Sequence, residues 1–564
     1  MAVRRRLTSI AFMFACALCA SGQSGIRAQE LGTPSQNGGM CRAAGPPFAD
    51  VLQKSHWNGW GVDPAQHRYQ PSGMAQLAAD DVPHLKLKWA FGYPGAVRAF
   101  AQPTIVGGRL FVGSQNGKVY SLDAHSGCIY WEFNAGKPVR SAIVIGRSAG
   151  GDGWSAYFGD FAANVYAIDA ATGKQLWKTW IEDHPAARIT GSPTLVGTTL
   201  FVPVSSIEEA TGARPTYACC SFRGSVVALA ASTGKLLWKS YTIAQQPQPT
   251  GMNSAGVQMI GPSGAAVWSA PTFDAVKRMV YVTTGDNYSD PPTDTSDAIL
   301  AFNADTGELA WSRQMTKEDA YNLACVSRGE ANCPLANGPD YDFGSSAVLV
   351  DLPGGKRALI AAQKSGVVTA VDPDRRGEII WQKKVGRGGK LGGLQWGVAT
   401  DQSNVYAAVS DERIEIVAPG VPGARISPVN PKIAFLLDNE VGGGLHALNI
   451  ATGKEIWQTP NPGCKDVPGC SPAQSAAVTA IPGIVFSGGL DGHLRAYSAK
   501  DGHIVWDVDT KTEYHTVNGL TAHGGSIDGP GAVVVGSMLY VSSGYGYLGS
   551  TPGNVLLAFS VDGH

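Results

Sequence analysis

The sequence is poor in charged residues and in long apolar stretches. Only 16% of its 564 residues are charged, and the formal net charge is -1. Such a neutral chain lacks the basic surface expected of a protein that binds nucleic acid or an anionic membrane. Beyond the N-terminal segment, no apolar run is long enough to span a bilayer, and no Cys-x-x-Cys-His motif for covalent haem occurs. We therefore expect no nucleic-acid partner, no membrane span and no c-type haem of its own.

The first 28 residues are typical of a secretory signal. Residues 4–6 are three arginines, and residues 10–20 are apolar but too few to cross a membrane. Small residues permit cleavage after Ala20 or Ala28. The sequence therefore predicts export, most simply to a bacterial periplasm. We assign residues 29–55 to an N-terminal extension without a haem motif.

Eight cysteines follow the signal, and in an oxidising compartment they are expected to form disulfide bonds. Two pairs are close enough in sequence to close small loops: Cys325 with Cys333, and Cys464 with Cys470. Cys41 and Cys128 either pair or stay free. The adjacent residues Cys219 and Cys220 are the most distinctive pair, because a disulfide between sequence neighbours is conformationally demanding.

One pattern, Ala-x-Asp-x-x-x-Gly-x-x-x-Trp, recurs along the chain in closer and looser copies, such as residues 167–177 and 447–457. Each copy combines a strand of alternating apolar and polar residues, a tight turn with glycine, and a second strand that carries the tryptophan. The repeat tryptophans are Trp89, Trp131, Trp177, Trp238, Trp311, Trp381, Trp457 and Trp506. Their separations of 42 to 76 residues suit four-stranded propeller blades with insertions.

We therefore predict an all-β fold, an eight-bladed β-propeller that spans residues 56–564. Residues 555–561 resemble the third strand of a repeat without its tryptophan strand, whereas Trp89 belongs to a tryptophan strand without its turn. The two ends complement each other, so N- and C-terminal strands should together close the ring and leave no free sheet edge. A seven-bladed ring and a solenoid are the alternatives.

Motifs between the tryptophans resemble those of the quinoprotein alcohol dehydrogenases, which use pyrroloquinoline quinone (PQQ). They occur in the order of that family, as residues 57–63 (WNGWGVD), 190–193 (TGSP), 205–209 (SSIEE), 266–268 (AVW), 284–287 (TGDN), 339–344 (PDYDFG), 363–366 (QKSG) and 392–396 (GGLQW). The vicinal cysteines beside the Glu-Glu stretch make the chain most similar to the polyvinyl-alcohol dehydrogenase branch. The resemblance implies PQQ and Ca²⁺ as cofactors. It also implies oxidation of an alcohol, secondary or polymeric, to a carbonyl, with electrons passed to a separate cytochrome c or an equivalent acceptor.

The same resemblance assigns roles to individual residues. Asp342 is the candidate catalytic base and also a metal ligand. Glu209 and Asn287 are the other metal ligands, with Glu208 and Asp286 as alternates. Trp268 would lie under the flat quinone and the cysteine pair above it. The full set of quinone-binding residues is Thr190, Ser206, Cys219, Cys220, Arg223, Trp268, Lys364, Gln395 and Trp396.

Two positions depart from the patterns of relatives. Gln395 replaces the usual Asn, and Gly344 stands where lanthanide-using relatives carry an additional carboxylate, which favours calcium. The alternative function is a non-catalytic propeller scaffold of the outer-membrane assembly type, which needs neither vicinal cysteines nor the Asp–Lys set. No Ser-His-Asp arrangement or histidine cluster supports a hydrolase or a lyase.

Overall fold

The computed structural model describes residues 38–563, apart from residues 44, 46–47, 149–150, 152, 327–330, 427–430 and 465–466. Within these residues, eight antiparallel sheets of four or five strands form the body of the molecule. Each of these sheets contains one repeat tryptophan, and we number them 1 to 8 in the order of those tryptophans. The all-β prediction is confirmed. The predicted signal, residues 1–28, lies outside the described residues.

The eight main sheets have the following strands. Sheet 1 contains Lys86–Gly92, Val533–Val535, Met538–Ser543 and Val555–Ser560; sheet 2, Thr104–Val106, Arg109–Gly113, Lys118–Asp123 and Ile129–Asn134; sheet 3, Val144–Arg147, Trp154–Gly159, Asn164–Asp169 and Gln175–Trp180; sheet 4, Ala187–Arg188, Thr194–Val196, Thr199–Ser206, Ser225–Ala230 and Leu236–Tyr241. Sheet 5 contains Thr272–Asp274, Met279–Thr283, Ala298–Asn303 and Leu309–Gln314; sheet 6, Val348–Leu352, Lys356–Ala362, Val367–Asp372 and Glu378–Lys384; sheet 7, Ala399–Thr400, Asn404–Val409, Gly444–Asn449 and Glu455–Pro460; sheet 8, Thr479–Ile481, Ile484–Gly488, His493–Ser498 and Ile504–Asp509.

Insertions between these strands carry smaller elements. The additional strands are Gln248–Met252 with Gln258–Gly261, Ser263–Gly264 with Asn287–Ser289, Ile414–Val417 with Arg425–Ile426 and Ala434–Leu437, and Glu513–His515 with Thr521–His523. The short α-helices are Ser72–Ala75 and Glu208–Thr211, and the 3₁₀ turns are Ala79–His84, Leu323–Val326 and Pro373–Arg375. None of the helices in the described part of the chain has the length and apolar character needed to cross a membrane.

The repeat tryptophans join successive sheets. In seven of the eight, the indole Nε1 donates to a backbone carbonyl of the following sheet or its flanking turn, at 2.9–3.2 Å. Trp131, for example, donates to Ala170 O at 3.1 Å. The turn glycine three residues later, Gly173, packs directly against the same indole ring. The motif therefore supplies both the bulky side chain and the small residue against which it packs.

The N- and C-terminal strands share sheet 1, as the incomplete end repeats predict. Lys86–Gly92 pairs antiparallel with Val555–Ser560, and Trp89 lies opposite Ala558. Trp506 of sheet 8 donates to Leu85 O at 3.2 Å, immediately before the first strand of sheet 1. The last repeat therefore contacts the first.

Four disulfide bonds are present among the described residues. The pairing of Cys41 with Cys128, which the sequence left open, ties the N-terminal extension to sheet 2. Cys325–Cys333 and Cys464–Cys470 close the small loops predicted from their spacing. The fourth disulfide joins the neighbours Cys219 and Cys220.

Candidate functional site

Three aspartates form a buried group between sheets 5 and 6. Asp286, Asp340 and Asp342 each offer a carboxylate oxygen, and these oxygens lie within 4.8 Å of one another. Lys364 joins the group, because its Nζ donates to Asp340 Oδ1 at 2.7 Å and to Asp342 Oδ2 at 2.8 Å. None of the four residues is more than 8% exposed. The group thus places three acids and one base out of contact with bulk water.

The group is assembled from the ends of neighbouring strands. Asp286 follows strand Met279–Thr283 of sheet 5, whereas Lys364 follows strand Lys356–Ala362 of sheet 6. Asp342 lies in the loop that enters sheet 6. Its Oδ1 accepts from Asp286 N at 2.7 Å, and its carbonyl accepts from Lys364 N at 3.0 Å. Backbone and side-chain bonds therefore fix Asp342 against both of its neighbours.

Electrostatics in the group favour bound positive charge. Burial, together with the negative charge of Asp342, raises the pKa of Asp286 well above its usual value. Burial also raises the pKa of Asp340, although the Lys364 ammonium opposes that effect. Burial alone would lower the pKa of Lys364, but the carboxylates of Asp340 and Asp342 outweigh it and raise that pKa. Asp286 Oδ2 is buried and has no hydrogen-bond partner among the described residues.

The adjacent glutamates Glu208 and Glu209 face different surroundings. The Glu208 carboxylate is fully buried and accepts from Ser221 N at 2.9 Å, Phe222 N at 2.7 Å and the Tyr217 hydroxyl at 2.7 Å. It therefore holds the loop that follows the cysteine pair. Burial raises the pKa of Glu209 to about 7, and the charges of Lys364 and Asp342 also act on its carboxylate. Of the two glutamates, Glu209 is therefore the one on which the charges of the aspartate group and Lys364 act.

The side chains of the neighbours Asp286 and Asn287 also lie in different surroundings. Asn287 Oδ1 accepts from Thr293 N at 2.7 Å, and its Nδ2 donates to Ser263 O at 2.9 Å. Both polar atoms of the Asn287 side chain are therefore occupied by hydrogen bonds to backbone groups. The structure brings Asp286, which the sequence offered as the alternate, into the aspartate group.

The cysteine pair and Trp268 contribute to one apolar cluster. Cys219 and Cys220 are buried in it, and Trp268 packs against it as a partly buried ring. Cys220 N donates to Ile260 O at 2.9 Å, and Ile260 N donates to Cys219 O at 2.7 Å, so a strand of the hairpin Gln248–Gly261 holds the pair from one side. Lys364 Nζ lies 5.8 Å from the centre of the Trp268 ring, which places this cluster beside the acids.

Three other residues predicted to bind the quinone form hydrogen bonds with protein groups in this structure. Arg223 Nη1 donates to Ile243 O at 3.0 Å, and the guanidinium lies 3.8 Å from the centre of the Tyr241 ring. Thr190 and Ser205 share a hydrogen bond of 2.6 Å between their hydroxyls. Ser206 Oγ accepts from Glu208 N at 3.1 Å.

Of the predicted pair Gln395 and Trp396, the tryptophan contacts Trp268 directly. The rings of Trp268 and Trp396 meet edge to face, with centroids 5.3 Å apart. Trp396 Nε1 donates to Asp528 Oδ1 at 2.6 Å, and Gln395 Nε2 donates to Leu391 O at 2.8 Å. A Cβ at Gly344 would lie 2.2 Å from the Trp268 ring, so an additional carboxylate at this position would displace that tryptophan.

Sequence reasoning missed three buried aspartates. Asp340 shares the Lys364 ammonium, and Asp319 accepts from the backbone of the loop that carries Asp342. Asp297 is fully buried, and neither of its carboxylate oxygens has a hydrogen-bond partner among the described residues. Burial and the negative charge of Asp319 raise the pKa of Asp297 well above its usual value. Only Asp340 gave a sequence signal, because it stands two residues before Asp342.

Known proteins match this chain over most of its length. A PQQ family profile, described as the glucose/ethanol/alcohol dehydrogenase β-propeller domain, matches residues 57–328, and the profile of the outer membrane protein assembly factor BamB matches residues 364–552. A polyvinylalcohol dehydrogenase of Pseudomonas sp. is 42% identical over 541 residues, which are 93% of this chain and 80% of the relative. A second polyvinylalcohol dehydrogenase, from Sphingopyxis sp., is 41% identical over 542 residues, with 93% and 79% covered.

Solved structures agree in fold. A quinohemoprotein alcohol dehydrogenase from Comamonas testosteroni superposes with a TM-score of 0.64 at 19% identity, covering 92% of this chain and 82% of that chain. A europium-containing methanol dehydrogenase gives 0.65 at 18% identity, covering 91% and 99%. At these identities the structural likeness shows the fold alone.

Fold and relatives define a β-propeller oxidoreductase of the quinoprotein class. The chain belongs to the PQQ-dependent alcohol dehydrogenase family, and within it is most similar to the polyvinyl-alcohol dehydrogenase branch. The prediction of an enzyme is confirmed. The scaffold profile matches only residues 364–552, whereas the dehydrogenase relatives cover 93% of the chain. The scaffold interpretation is therefore set aside.

Proposed function

We propose that this protein is an exported, calcium-dependent quinoprotein that oxidises secondary or polymeric alcohols and passes the electrons to a separate cytochrome c or an equivalent acceptor. The observation that carries the proposal is the buried group of Asp286, Asp340 and Asp342 with Lys364 beside it. Three carboxylates against one ammonium leave excess negative charge away from water. A divalent cation would balance that charge.

The oxygen donors suit calcium. Ca²⁺ prefers carboxylate and carbonyl oxygens, and the unpartnered Asp286 Oδ2 is a donor of this type. Asp286, Asp342 and Glu209 would hold the ion. Asn287 and Glu208 are less suited, since their side-chain oxygens already accept from backbone amides. The close packing at Gly344 supports calcium rather than a lanthanide, because it leaves no room for a fourth aspartate there.

The surroundings of the aspartates suit a flat quinone. Trp268 would support one face and the Cys219–Cys220 ring would cover the other, since both belong to one apolar cluster beside Lys364. Lys364 would donate to quinone oxygens, and Arg223 would bind a quinone carboxylate through the nitrogens that Ile243 leaves available. The remaining proposed contacts are Thr190, Ser206, Gln395 and Trp396.

Asp342 would take the hydroxyl proton of the alcohol. In the reaction a hydride leaves the carbinol carbon, a proton leaves the hydroxyl group, and a carbonyl forms. PQQ, when bound, supplies the acceptor for the hydride. The Asp286 backbone N, at 2.7 Å, and the Lys364 ammonium, at 2.8 Å, donate to the Asp342 carboxylate and would orient it for the transfer.

The rest of the chain would form the frame of this exported enzyme. We assign residues 1–28 to the signal, 29–55 to an extension and 56–564 to a closed eight-bladed ring. The eight main sheets, and the contacts of Trp506 and Lys86–Gly92 between the last and first repeats, support this ring. The electrons would pass to a separate acceptor, a proposal consistent with the lack of a haem-attachment motif in the printed sequence.

Reconstitution with PQQ and Ca²⁺ tests the proposal. Purified protein should acquire the quinone absorption band and should reduce a dye in the presence of 2-propanol, 2,4-pentanediol or vinyl-alcohol oligomers. We expect the oligomers to be the preferred substrates, because the relatives named above are polyvinylalcohol dehydrogenases and polyvinyl alcohol is a chain of secondary alcohols. Absence of alcohol-dependent dye reduction with all three would contradict the proposed activity.

Two controls separate chemistry from cofactor binding. Asp342→Ala should retain the quinone band but lose turnover, and retained turnover would remove Asp342 as the base. Titration of chelator-treated protein with Ca²⁺ and La³⁺ in parallel tests the metal. Full activation by calcium is expected. Activation by La³⁺ and not by Ca²⁺ would show that the enzyme uses a lanthanide and would refute calcium as its metal.

A further inference from the structure

One short segment lies between the two parts of the chain that carry the aspartate group. Asp319–Tyr321 runs alongside Asp286–Tyr288 in a parallel bridge between Asn287 and Ala320. Asn287 N donates to Asp319 O at 3.2 Å, and Tyr321 N donates back to Asn287 O at 2.7 Å. The backbone of this segment is thus fastened to the strand that follows Asp286.

The Asp319 side chain fastens the same segment to the Asp342 loop. Its Oδ1 accepts from Asp340 N at 3.1 Å, and its Oδ2 accepts from Tyr341 N at 2.8 Å. Asp342 is the next residue along that loop. Each oxygen of the Asp319 carboxylate therefore holds a separate amide of the loop. One residue connects the two ligand-bearing segments, through its main chain on one side and its carboxylate on the other.

An acid at this position is electrostatically unfavourable. Asp319 is fully buried and lies near Asp342, so its charge adds to an existing excess of negative charge. An asparagine of the same shape would avoid that repulsion, but it offers one acceptor oxygen instead of two. The requirement for two acceptors accounts for the acid.

We propose that Asp319 is a positioning residue that fixes the separation between Asp286 and Asp342 and so sets the calcium affinity of the site. The inference deepens the proposed function and rests on it, because it assumes that these aspartates bind the ion. Residues that orient metal ligands typically change metal affinity about 10- to 100-fold when replaced.

Asp319→Asn is the first test, and Asp274→Asn is its matched control. Asp274 is also a buried aspartate that accepts two backbone amides, Val276 N at 2.8 Å and Lys277 N at 3.1 Å. It lies at the opposite end of strand Met279–Thr283 from Asp286. Calcium binding to PQQ-loaded, chelator-treated protein is measured by calorimetry, together with Tm and the kcat and KM of turnover.

The two variants should differ in metal binding and not in stability alone. Asp319→Asn should weaken calcium binding at least about tenfold and lower kcat. Asp274→Asn should lower Tm but leave the calcium Kd within about twofold. Equal effects of the two variants on calcium Kd, or no effect of Asp319→Asn, would overturn the inference. Wild-type protein that binds no calcium would instead contradict the proposed function.

Asp319→Glu separates positioning from charge. It keeps the negative charge and both oxygens but moves them by one methylene group. If Asp319 acts by position, this variant should still bind calcium at least about tenfold more weakly than wild type. If it acts through long-range charge alone, calcium binding should return to the wild-type value, and the positioning role would be refuted. This variant also keeps the test open if Asp319→Asn fails to fold.

Discussion

Replacing Gly173 by alanine should destabilise the frame through one identifiable contact. Gly173 has φ of +75°, and a Cβ there would lie 2.8 Å from the ring of Trp131. Gly136 has the same φ of +75°, but a Cβ there would meet no atom of the described residues within 4 Å. The pair separates backbone strain from packing, since both alanines carry the same strain and only one contacts the tryptophan.

The expected magnitudes follow from these two terms. A left-handed conformation costs an L-residue roughly 1–2 kcal/mol, and this term applies to both variants. Forcing a methyl group into a packed site costs about 1–3 kcal/mol more, and this term applies only at Gly173. The Trp131 indole can move to relieve the clash, but it then weakens its 3.1 Å hydrogen bond to Ala170 O. Gly173→Ala should therefore lose about 1–3 kcal/mol more than Gly136→Ala.

Urea unfolding followed by tryptophan fluorescence and far-ultraviolet circular dichroism measures the difference. Both probes are needed because a multi-sheet chain can unfold in more than one step. Equal midpoints and slopes for Gly173→Ala and Gly136→Ala would refute the reasoning, since the repeat glycine would then matter only for its φ. A larger loss for Gly173→Ala would establish that the motif glycine is required by the tryptophan of the preceding sheet.

Three further predictions concern the site and the pH dependence of stability. Glu208→Gln removes the negative charge that accepts from Ser221 N and Phe222 N, in the loop after the cysteine pair proposed to cover the quinone. PQQ affinity, measured by fluorescence quenching, should therefore fall about tenfold while calcium binding persists. Unchanged PQQ affinity would contradict a role of this loop in quinone binding. Removal of the metal by a chelator should lower the Tm of the loaded protein. Ca²⁺ added at a hundred times its Kd should raise the free energy of unfolding by about 2.7 kcal/mol. An unchanged Tm would argue against a bound ion. The hydrogen bond to Asp507 raises the pKa of His493, so this pair stabilises the fold below about pH 6.5 and loses its contribution as the pH rises through the raised pKa. The difference in free energy of unfolding between wild type and His493→Gln, measured by urea titration, should therefore be larger at pH 5.5 than at pH 8.5, by at most about 1 kcal/mol. A difference that grows with pH would reverse the sign of the argument.

The frame was predictable because its signal is local. Each tryptophan motif contains a strand, a turn and a second strand within about a dozen residues, so its geometry follows from neighbouring side chains. The shared sheet of the two termini was also predictable, because Trp89 belongs to a tryptophan strand without its preceding repeat, whereas residues 555–561 resemble the third strand of a repeat without its tryptophan strand. The pairing of Cys41 with Cys128 was not, since it spans 87 residues and nothing in the intervening sequence specifies it.

The buried group of Asp286, Asp340, Asp342 and Lys364 was predictable only where its residues follow recognisable motifs. Asp342 and Lys364 were found in this way, and they lie together in the structure. Asp319 and Asp297 belong to no motif, and the residues that surround each of them come together only in the folded chain. Asp319 precedes Asp340 by 21 residues, yet its carboxylate contacts the backbone there. Sequence proximity carries no information about such a contact.

The sequence could not decide between the two members of each candidate-ligand pair, Glu208 or Glu209 and Asp286 or Asn287, for one physical reason. Successive residues of an extended chain project to opposite sides, and successive residues of a helical turn also diverge, so only one member of a pair can face a given site. The Asp286 carboxylate lies with those of Asp340 and Asp342, whereas the Asn287 side chain bonds to Thr293. The charge of Lys364 acts on the Glu209 carboxylate, whereas Glu208 accepts from the backbone of the loop after the cysteine pair. In both pairs the neighbour of the site-facing residue anchors the backbone beside it. Every side-chain oxygen of the anchoring residue accepts a hydrogen bond from a backbone amide, so its neighbour is the member of the pair that could bind the proposed ion. Replacing an anchor should therefore alter the placement of the adjacent ligand, whereas replacing the ligand should leave the surrounding loop intact.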